Sequence, residues 1–234
     1  MSIAENIAAL EEKIALTAKR AGRDPSQIAL MAVSKTHSPE RIREAYDRGL
    51  RLFGENRVQE FSAKVSALSD LPGSQWHMIG HLQTNKAAKA AELFSAVDSV
   101  DSVKVAEKLN AAARALNKKL KILIEINLGG EAAKSGVALD SPPLEELLMA
   151  APGLDALEFS GLMTVPPHTE DPEGARPYFR QLRTLRDQIA VRHLPAISMD
   201  VLSMGMSHDF EVAIGEGSTC VRIGTAIFGE RRKP

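Results

Sequence analysis

A single cysteine, Cys220, is all that 234 residues supply, which excludes an intramolecular disulfide and a zinc site built from cysteines. Such a chain suits a reducing compartment, and the cytoplasm is the expected location. Neither sign of charge is in excess. Lys and Arg total 29 and Asp and Glu 30, a formal charge of -1, so no basic surplus exists to release counterions from nucleic acid or to hold an anionic membrane. The basic ERRKP at the C-terminus reads as a solvated tail. No apolar run approaches a membrane span, and Glu5, Glu11, Glu12 and Lys13 interrupt the positions that a signal sequence would need continuous. Tyrosine is also scarce, at Tyr46 and Tyr178 only.

What is present is an ordinary globular composition, 44% hydrophobic and 25% charged, in a length that α/β barrels commonly fill as one domain. Ser2 and Glu5 have capping-box spacing, Ile3, Ile7, Leu10 and Ile14 share a helical face, and Gly22 offers a stop. After that N-terminal helix, short apolar runs alternate with helical patterns. Strands are expected at 28–34, 51–56, 76–80, 94–100, 120–128, 157–165, 197–205 and 219–229. Helices are expected near 39–48, 56–68, 84–92, 102–117, 142–150, 172–190 and 208–215. Strict alternation argues for a parallel sheet with right-handed crossovers, and eight units close a (β/α)8 barrel. The expected fold is therefore a single α/β barrel domain, 1–234, with an additional N-terminal helix. An open doubly wound sheet is the rival, but no dinucleotide or Walker loop follows the first strand. The GEGSTC run at 215–220 lacks the final glycine, precedes a strand and reads as a turn.

In such a barrel the carboxyl ends of strands face the active-site mouth. Lys35 ends the first strand, sharing a period-two face with Met31 and Val33. A partly desolvated amine there is a nucleophile toward an aldehyde or ketone; a lysine that snorkels to water is the alternative. Phosphate is often held by the loops after strands seven and eight. In the first of these, Gly205 allows close backbone approach and Ser207 could cap the next helix while facing an anion. In the second, Gly224 and Thr225 offer N–H groups and a hydroxyl. Arg222 alternates inward with Cys220 and Gly224, as a partner either for a barrel carboxylate such as Asp200 or for a ligand. An amine, a phosphate cradle and a group opposite a ring nitrogen are together what pyridoxal 5'-phosphate (PLP) needs. An arginine opposite that nitrogen would disfavour its protonation and weaken the ring as an electron sink.

The segments AVSKTH, LFGENRVQE, WHMIGHLQTNK, INLGGEAAKSGV, GLMTVPP and LSMGMSHDFEVAIGEGSTCVRIGTAIFG resemble, in order and over nearly the whole chain, the pyridoxal phosphate homeostasis protein family, which is similar to the N-terminal barrel of alanine racemase. The resemblance implies PLP bound as a Schiff base on Lys35 and phosphate contacts from Ser207, Gly224 and Thr225. It implies further a ring-nitrogen contact from Arg222 and packing of the cofactor near Asn56. It implies a carrier and regulator of the cofactor pool and of amino-acid and keto-acid balance, not an enzyme. Apo-PLP enzymes would be the recipients and the chain a monomer or weak dimer. Racemases of this type take a second base, a tyrosine, from an additional β domain; Tyr46 and Tyr178 fall in expected helices, as packing residues. A single-domain racemase-like enzyme and a Schiff-base aldolase acting on a phosphorylated sugar are the alternative readings.

Other features carry less. His77 and His81 are spaced i, i+4, but a strand ending at Gly80 breaks the helical metal-ligand geometry. His81, Gln83 and Asn85 are candidates for the mouth, and His37 and His208 follow the lysine and the phosphate loop. Gly129-Gly130, Lys134 and Gly136 read as a loop over the mouth, a candidate lid.

Overall fold

The structure is a computed structural model that describes residues 2–130 and 135–230. The ERRKP tail beyond Glu230 and Lys134 of the expected lid lie outside the described residues. Helix α1, Ile3–Arg20, begins as its sequence predicts: Glu5 N–H donates to Ser2 Oγ at 3.2 Å, and Ser2 N–H donates to Glu5 Oε2 at 2.8 Å. Such a cap contributes about 1 kcal/mol. Ile3, Ile7, Leu10 and Ile14 are buried.

The barrel follows as β1 (Ala29–Val33), α2 (Pro39–Asp47), β2 (Leu52–Glu55), α3 (Val58–Lys64), β3 (Gln75–Met78), α4 (Ala87–Leu93), β4 (Ala96–Val100), α5 (Val103–Ala115) and β5 (Leu120–Asn127). The second half comprises β6 (Val137–Ala138), α6 (Pro142–Ala150), β7 (Leu157–Met163), α7 (Arg176–Ala190), β8 (Ile197–Ser203), α8 (Phe210–Gly215), β9 (Cys220–Ile223) and α9 (Thr225–Phe228). Every pairing is parallel, and the β4–β5 and β1–β9 pairings close eight strands into a (β/α)8 barrel. The two-residue β6, which the sequence reading does not anticipate, adds to the end of β5.

Alternation along each strand divides the side chains between two layers. Outward residues such as Ala32, Phe53, Ile122, Ile124, Phe159, Leu162, Val221 and Ile223 are buried against the helices. Inward residues are more polar than a barrel core usually is. Met31 stands beside Arg222 in the β1–β9 register, and Arg222 is only 3% exposed. At the amino-terminal end of the barrel His77 Nδ1 sits 3.1 Å from Asp98 Oδ1, close to Cys220, whose thiol is pushed up to about 12, chiefly by burial and further by Asp98.

One expected strand needs correction. The last run, 219–229, stops as a strand at Ile223, and Thr225–Phe228 forms a helical turn. Ile227 and Phe228 are apolar because the turn buries them, at 0% and 2% exposure, not because a strand continues. That turn is braced by the start of the chain: Asn6 Nδ2 donates to the Ile227 carbonyl at 2.9 Å, and the Arg41 guanidinium donates to that of Phe228.

Candidate functional site

The carboxyl end of the barrel holds two adjoining chambers that share Asn56, Ile79 and Val165 as their common wall. The first, about 350 Å³, brings together all six expected site residues, Lys35, Asn56, Ser207, Arg222, Gly224 and Thr225, with His37 and His208. Among the described residues, no aspartate or glutamate lines it. The second, about 670 Å³, is lined by His81, Asp101, Glu125, Asn127 and Ser135 among others. The mouth thus has a basic half and an acidic half. Gln83 and Asn85 lie outside both linings, since the chain turns away at Thr84–Lys86 toward α4.

Lys35 stands two residues beyond β1, and the residues on either side of it are pinned by an ionic network that is buried at Ser34, Glu55 and Lys64 and reaches the surface at Thr36 and Glu60. Ser34 Oγ donates to Glu55 Oε1 at 2.5 Å, and Lys64 Nζ meets Glu55 Oε1 at 2.8 Å and the Ser34 carbonyl at 3.0 Å. Glu60 Oε1 receives the Thr36 N–H at 2.5 Å and lies 3.3 Å from Lys64 Nζ. Thr36 adopts φ 66°, a left-handed conformation that a β-branched residue holds only under external constraint. The Glu60 contact is that constraint. Glu55 is fully buried, and burial raises its pKa, opposed by Lys64 and by the Ser34 hydroxyl. This network joins residues distant in the chain and is not evident from the sequence. Its one local signal is the i, i+4 spacing of Glu60 and Lys64 on α3.

Arg222 reaches into the mouth from β9 and is fixed by backbone and hydroxyl oxygens. Its Nη1 donates to the carbonyl and Oγ of Ser203, and its Nη2 to the Thr164 carbonyl, each at 2.7 Å. The alternative partner Asp200 is not there: it is exposed, alternates away from Val201 and Ser203 on β8, and borders the cavity at the opposite end of the barrel. Burial lowers the Arg222 pKa, yet a guanidinium starts so high that it remains charged.

The two loops expected to hold an anion do meet. Ser207 Oγ accepts the Ala226 N–H at 3.4 Å, which ties the loop after β8 to α9. Ser207 is not the cap of α8; Asp209 holds that position and takes the Met206 N–H at 2.6 Å. Gly205 permits the approach. Its φ is +93°, and a Cβ there would fall 2.5 Å from that of Ala213. Across the entrance the His37 ring stacks on Phe228, centroids 4.5 Å apart.

In the acidic half, Glu125 of β5 is 6% exposed. Its Oε1 accepts from Ser135 Oγ at 2.9 Å, while Oε2 is buried without a hydrogen-bond partner among the described residues. Burial pushes its pKa up; the Ser135 hydrogen bond opposes this, Asp101 adds to it, and Arg222 and His81 oppose it. His81 Nδ1 is 3.3 Å from Asp101 Oδ2. Because the folded-state pKa of Glu125 is raised, the folded protein binds more protons than the unfolded chain above the ordinary carboxylate range. Stability therefore falls as pH rises through that window. Glu125→Gln is expected to remove this part of the slope and to match or exceed the wild type at mildly alkaline pH. Thermal melts across the window check this; a variant that is less stable than wild type at alkaline pH would contradict it.

Asn56 Oδ1, in the wall between the halves, is likewise buried without a partner among the described residues. Gly80 lets this wall form, since a Cβ there would fall 2.4 Å from the Asn56 carbonyl oxygen.

Comparison with known proteins agrees in fold and extent. Residues 6–232 match the alanine racemase N-terminal domain family. The chain is 45% identical to the pyridoxal phosphate homeostasis protein of Aquifex aeolicus, covering 99% of this chain and 100% of that one. It is 43% identical to the protein of that name in Escherichia coli, covering 98% and 97%. Among solved structures it is similar to PipY of Synechococcus elongatus with PLP bound, at TM-score 0.84 and 38% identity, covering 97% of this chain and all of that one. With its closed barrel and its match end to end, the chain belongs to the alanine racemase N-terminal domain family and, within it, to the pyridoxal phosphate homeostasis proteins.

Proposed function

We propose that this protein binds PLP in the basic half of the mouth and carries it for other proteins, the whole chain acting as one domain. The observation that carries this reading is a chamber where Lys35, Arg222, Ser207, Gly224 and Thr225 converge and where the described lining residues include no carboxylate. Such a lining fits a dianionic phosphate on a flat heteroaromatic ring, and its volume lies at the lower end of the roughly 300–1,000 Å³ typical of cofactor sites. Relatives named for pyridoxal phosphate homeostasis and the PLP-bound PipY structure support the same reading.

When bound, the cofactor supplies an aldehyde carbon that condenses reversibly with amines. Lys35 would provide the amine for its attachment, and the hydrogen bonds that hold Ser34 and Thr36 limit where Nζ can travel. The α9 turn and the Ser207 hydroxyl offer donors to the phosphate, as helix starts do for anions. Arg222, held by the Ser203 and Thr164 oxygens, would offer the ring nitrogen a cation and so disfavour its protonation. Asn56, in the chamber wall, would pack beside the ring.

Carrying, not turnover, is the role these residues favour. Proton exchange at a substrate carbon needs an acid–base group on each face, and Tyr46 and Tyr178 sit in α2 and α7, outside the chamber. Among the described residues no helix is long and apolar enough to cross a membrane, and a cytoplasmic monomer or weak dimer serving apo-PLP enzymes completes the proposal. Adding PLP to the cofactor-free full chain should give a yellow protein, and borohydride should fix the pyridoxyl group on the Lys35 peptide. A colourless protein, or fixation on a different lysine, would overturn the site; exchange of amino-acid α-protons at enzymatic rates in deuterated water would overturn the carrier role.

A further inference from the structure

The opposite, amino-terminal end of the barrel holds a cavity of about 520 Å³ that the cofactor reading leaves without a role. Barrel interiors are usually filled by bulky branched side chains. Here small residues stand in register with their neighbours, Ala29 beside Cys220 and Ala96 beside His77, and all four line the cavity. The space therefore extends to the His77–Asp98 pair. Asp98 is 1% exposed, and both its oxygens face His77 Nδ1, at 3.1 and 3.2 Å. The His77 side chain is 17% exposed. Its Nε2 makes no hydrogen bond among the described residues and is not one of the buried unpartnered atoms, so it opens on the cavity. An imidazole held by a carboxylate at Nδ1 presents Nε2 either as a proton acceptor or, once protonated, as a charged donor.

The charges around this nitrogen select its partner. Lys121 lines the same cavity with Arg23, whose Nη1 is fixed by the Ile214 and Ser218 carbonyls. The carboxylates in the described lining are Asp98, turned to His77, and Asp200, exposed at the rim. Cys220 adds no charge, because burial keeps its thiol protonated. An ammonium would face two cations, and an alcohol would offer Nε2 one neutral hydrogen bond. A carboxylic acid meets Nε2 whichever partner holds the proton, as acid to imidazole or as carboxylate to imidazolium, and the charged form is the stronger bond. Leu52, Leu123 and Val201 supply apolar wall for the rest of the ligand, and the volume is ordinary for a small-molecule site. Among the described residues no group of three His, Cys, Asp or Glu could hold a metal ion, so the pair is not part of a metal centre. We infer that this cavity binds a small monocarboxylic acid with an apolar body, its carboxyl at His77 Nε2 and its charge balanced by Lys121 and Arg23. The inference stands apart from the cofactor reading, because none of these residues lines the mouth.

Calorimetric titration of the full chain with 3-phenylpropanoate tests it, with and without PLP to occupy the mouth. Saturable binding of the same affinity is expected in both. His77→Asn, whose amide keeps a donor for Asp98, should weaken it by about tenfold or more, as for loss of a charge-assisted hydrogen bond. Lys121→Met, at an exposed position, should weaken it about threefold. 3-Phenylpropan-1-ol and 3-phenylpropylamine should bind more weakly than the acid. Ala96→Leu fills the cavity and leaves the charges of the pair in place, so it should abolish binding, and it decides the matter if His77→Asn folds poorly. Absence of saturable binding, competition by PLP, equal affinity for the alcohol, an unchanged affinity in His77→Asn or binding retained in Ala96→Leu would overturn the inference. Colour in the PLP samples reports the cofactor site separately, so a failure here leaves that site standing.

Discussion

Replacing Lys64 by methionine is expected to destabilise the protein by about 3–5 kcal/mol, the usual cost of leaving one partner of a buried ion pair without the other. Lys64 and Glu55 are 9% and 0% exposed at the side chain and 2.8 Å apart, so solvent screens the pair little. The variant leaves Glu55 buried with only Ser34 as a hydrogen-bond donor, and removes the donor to the Ser34 carbonyl. For a chain of this length the melting temperature should fall by roughly 10 °C. The deficit has a direction in pH. A carboxylate whose folded-state pKa is raised binds a proton more readily folded than unfolded, so acidification neutralises Glu55 and reduces the loss, while alkaline conditions enlarge it. Adding Glu55→Gln should restore most of the stability, since an uncharged pair leaves no isolated ion. Denaturant melts of the single and double variants decide; a double variant no better than Lys64→Met would show that packing of the lysine stem, not charge, dominates.

Lys35→Ala is expected to abolish covalent retention of PLP while leaving the fold within about 1 kcal/mol of wild type, because Lys35 is only half-buried at the end of a strand. The Arg222 and α9 contacts would remain, so weak reversible binding should persist, at least about tenfold looser. Gel filtration of cofactor-loaded protein separates the cases: the variant should emerge colourless and the wild type yellow. Equal colour in both would mean that Lys35 is a solvated lysine and that a different amine holds the aldehyde. The two experiments are linked through Ser34 and Thr36. Lys64→Met protein that still folds should hold its cofactor less tightly, because the segment presenting Lys35 has lost one of its two anchors.

The barrel was legible because each strand and helix carries its own period. Ile3, Ile7, Leu10 and Ile14 fixed α1, and the runs ending at Ser34, Asn56 and Gly205 fall within two residues of strand ends. The basic half was legible for a related reason: in a barrel, position along a strand already says which side chains reach the mouth. What remained hidden depends on partners distant in the chain. Glu125 sits in LKILIEINL, where an apolar pattern gives no sign that one inward position is a carboxylate without a full set of donors. Glu55 and Lys64 become neighbours only once β2 and α3 pack together. The eighth strand is shorter than its apolar run because Ile227 and Phe228 are buried by a helical turn, and apolar residues look alike whichever backbone buries them.

Asn6 and Arg41 grip the carbonyls of Ile227 and Phe228, so the turn proposed to receive the phosphate is completed by residues translated more than a hundred codons earlier. On the ribosome those early donors wait without acceptors, and β1 waits without β9 beside it, until this late segment emerges. Unfinished chains accordingly have no finished anion pocket, and the cell's free vitamin is left untouched until a whole protein is ready to hold it.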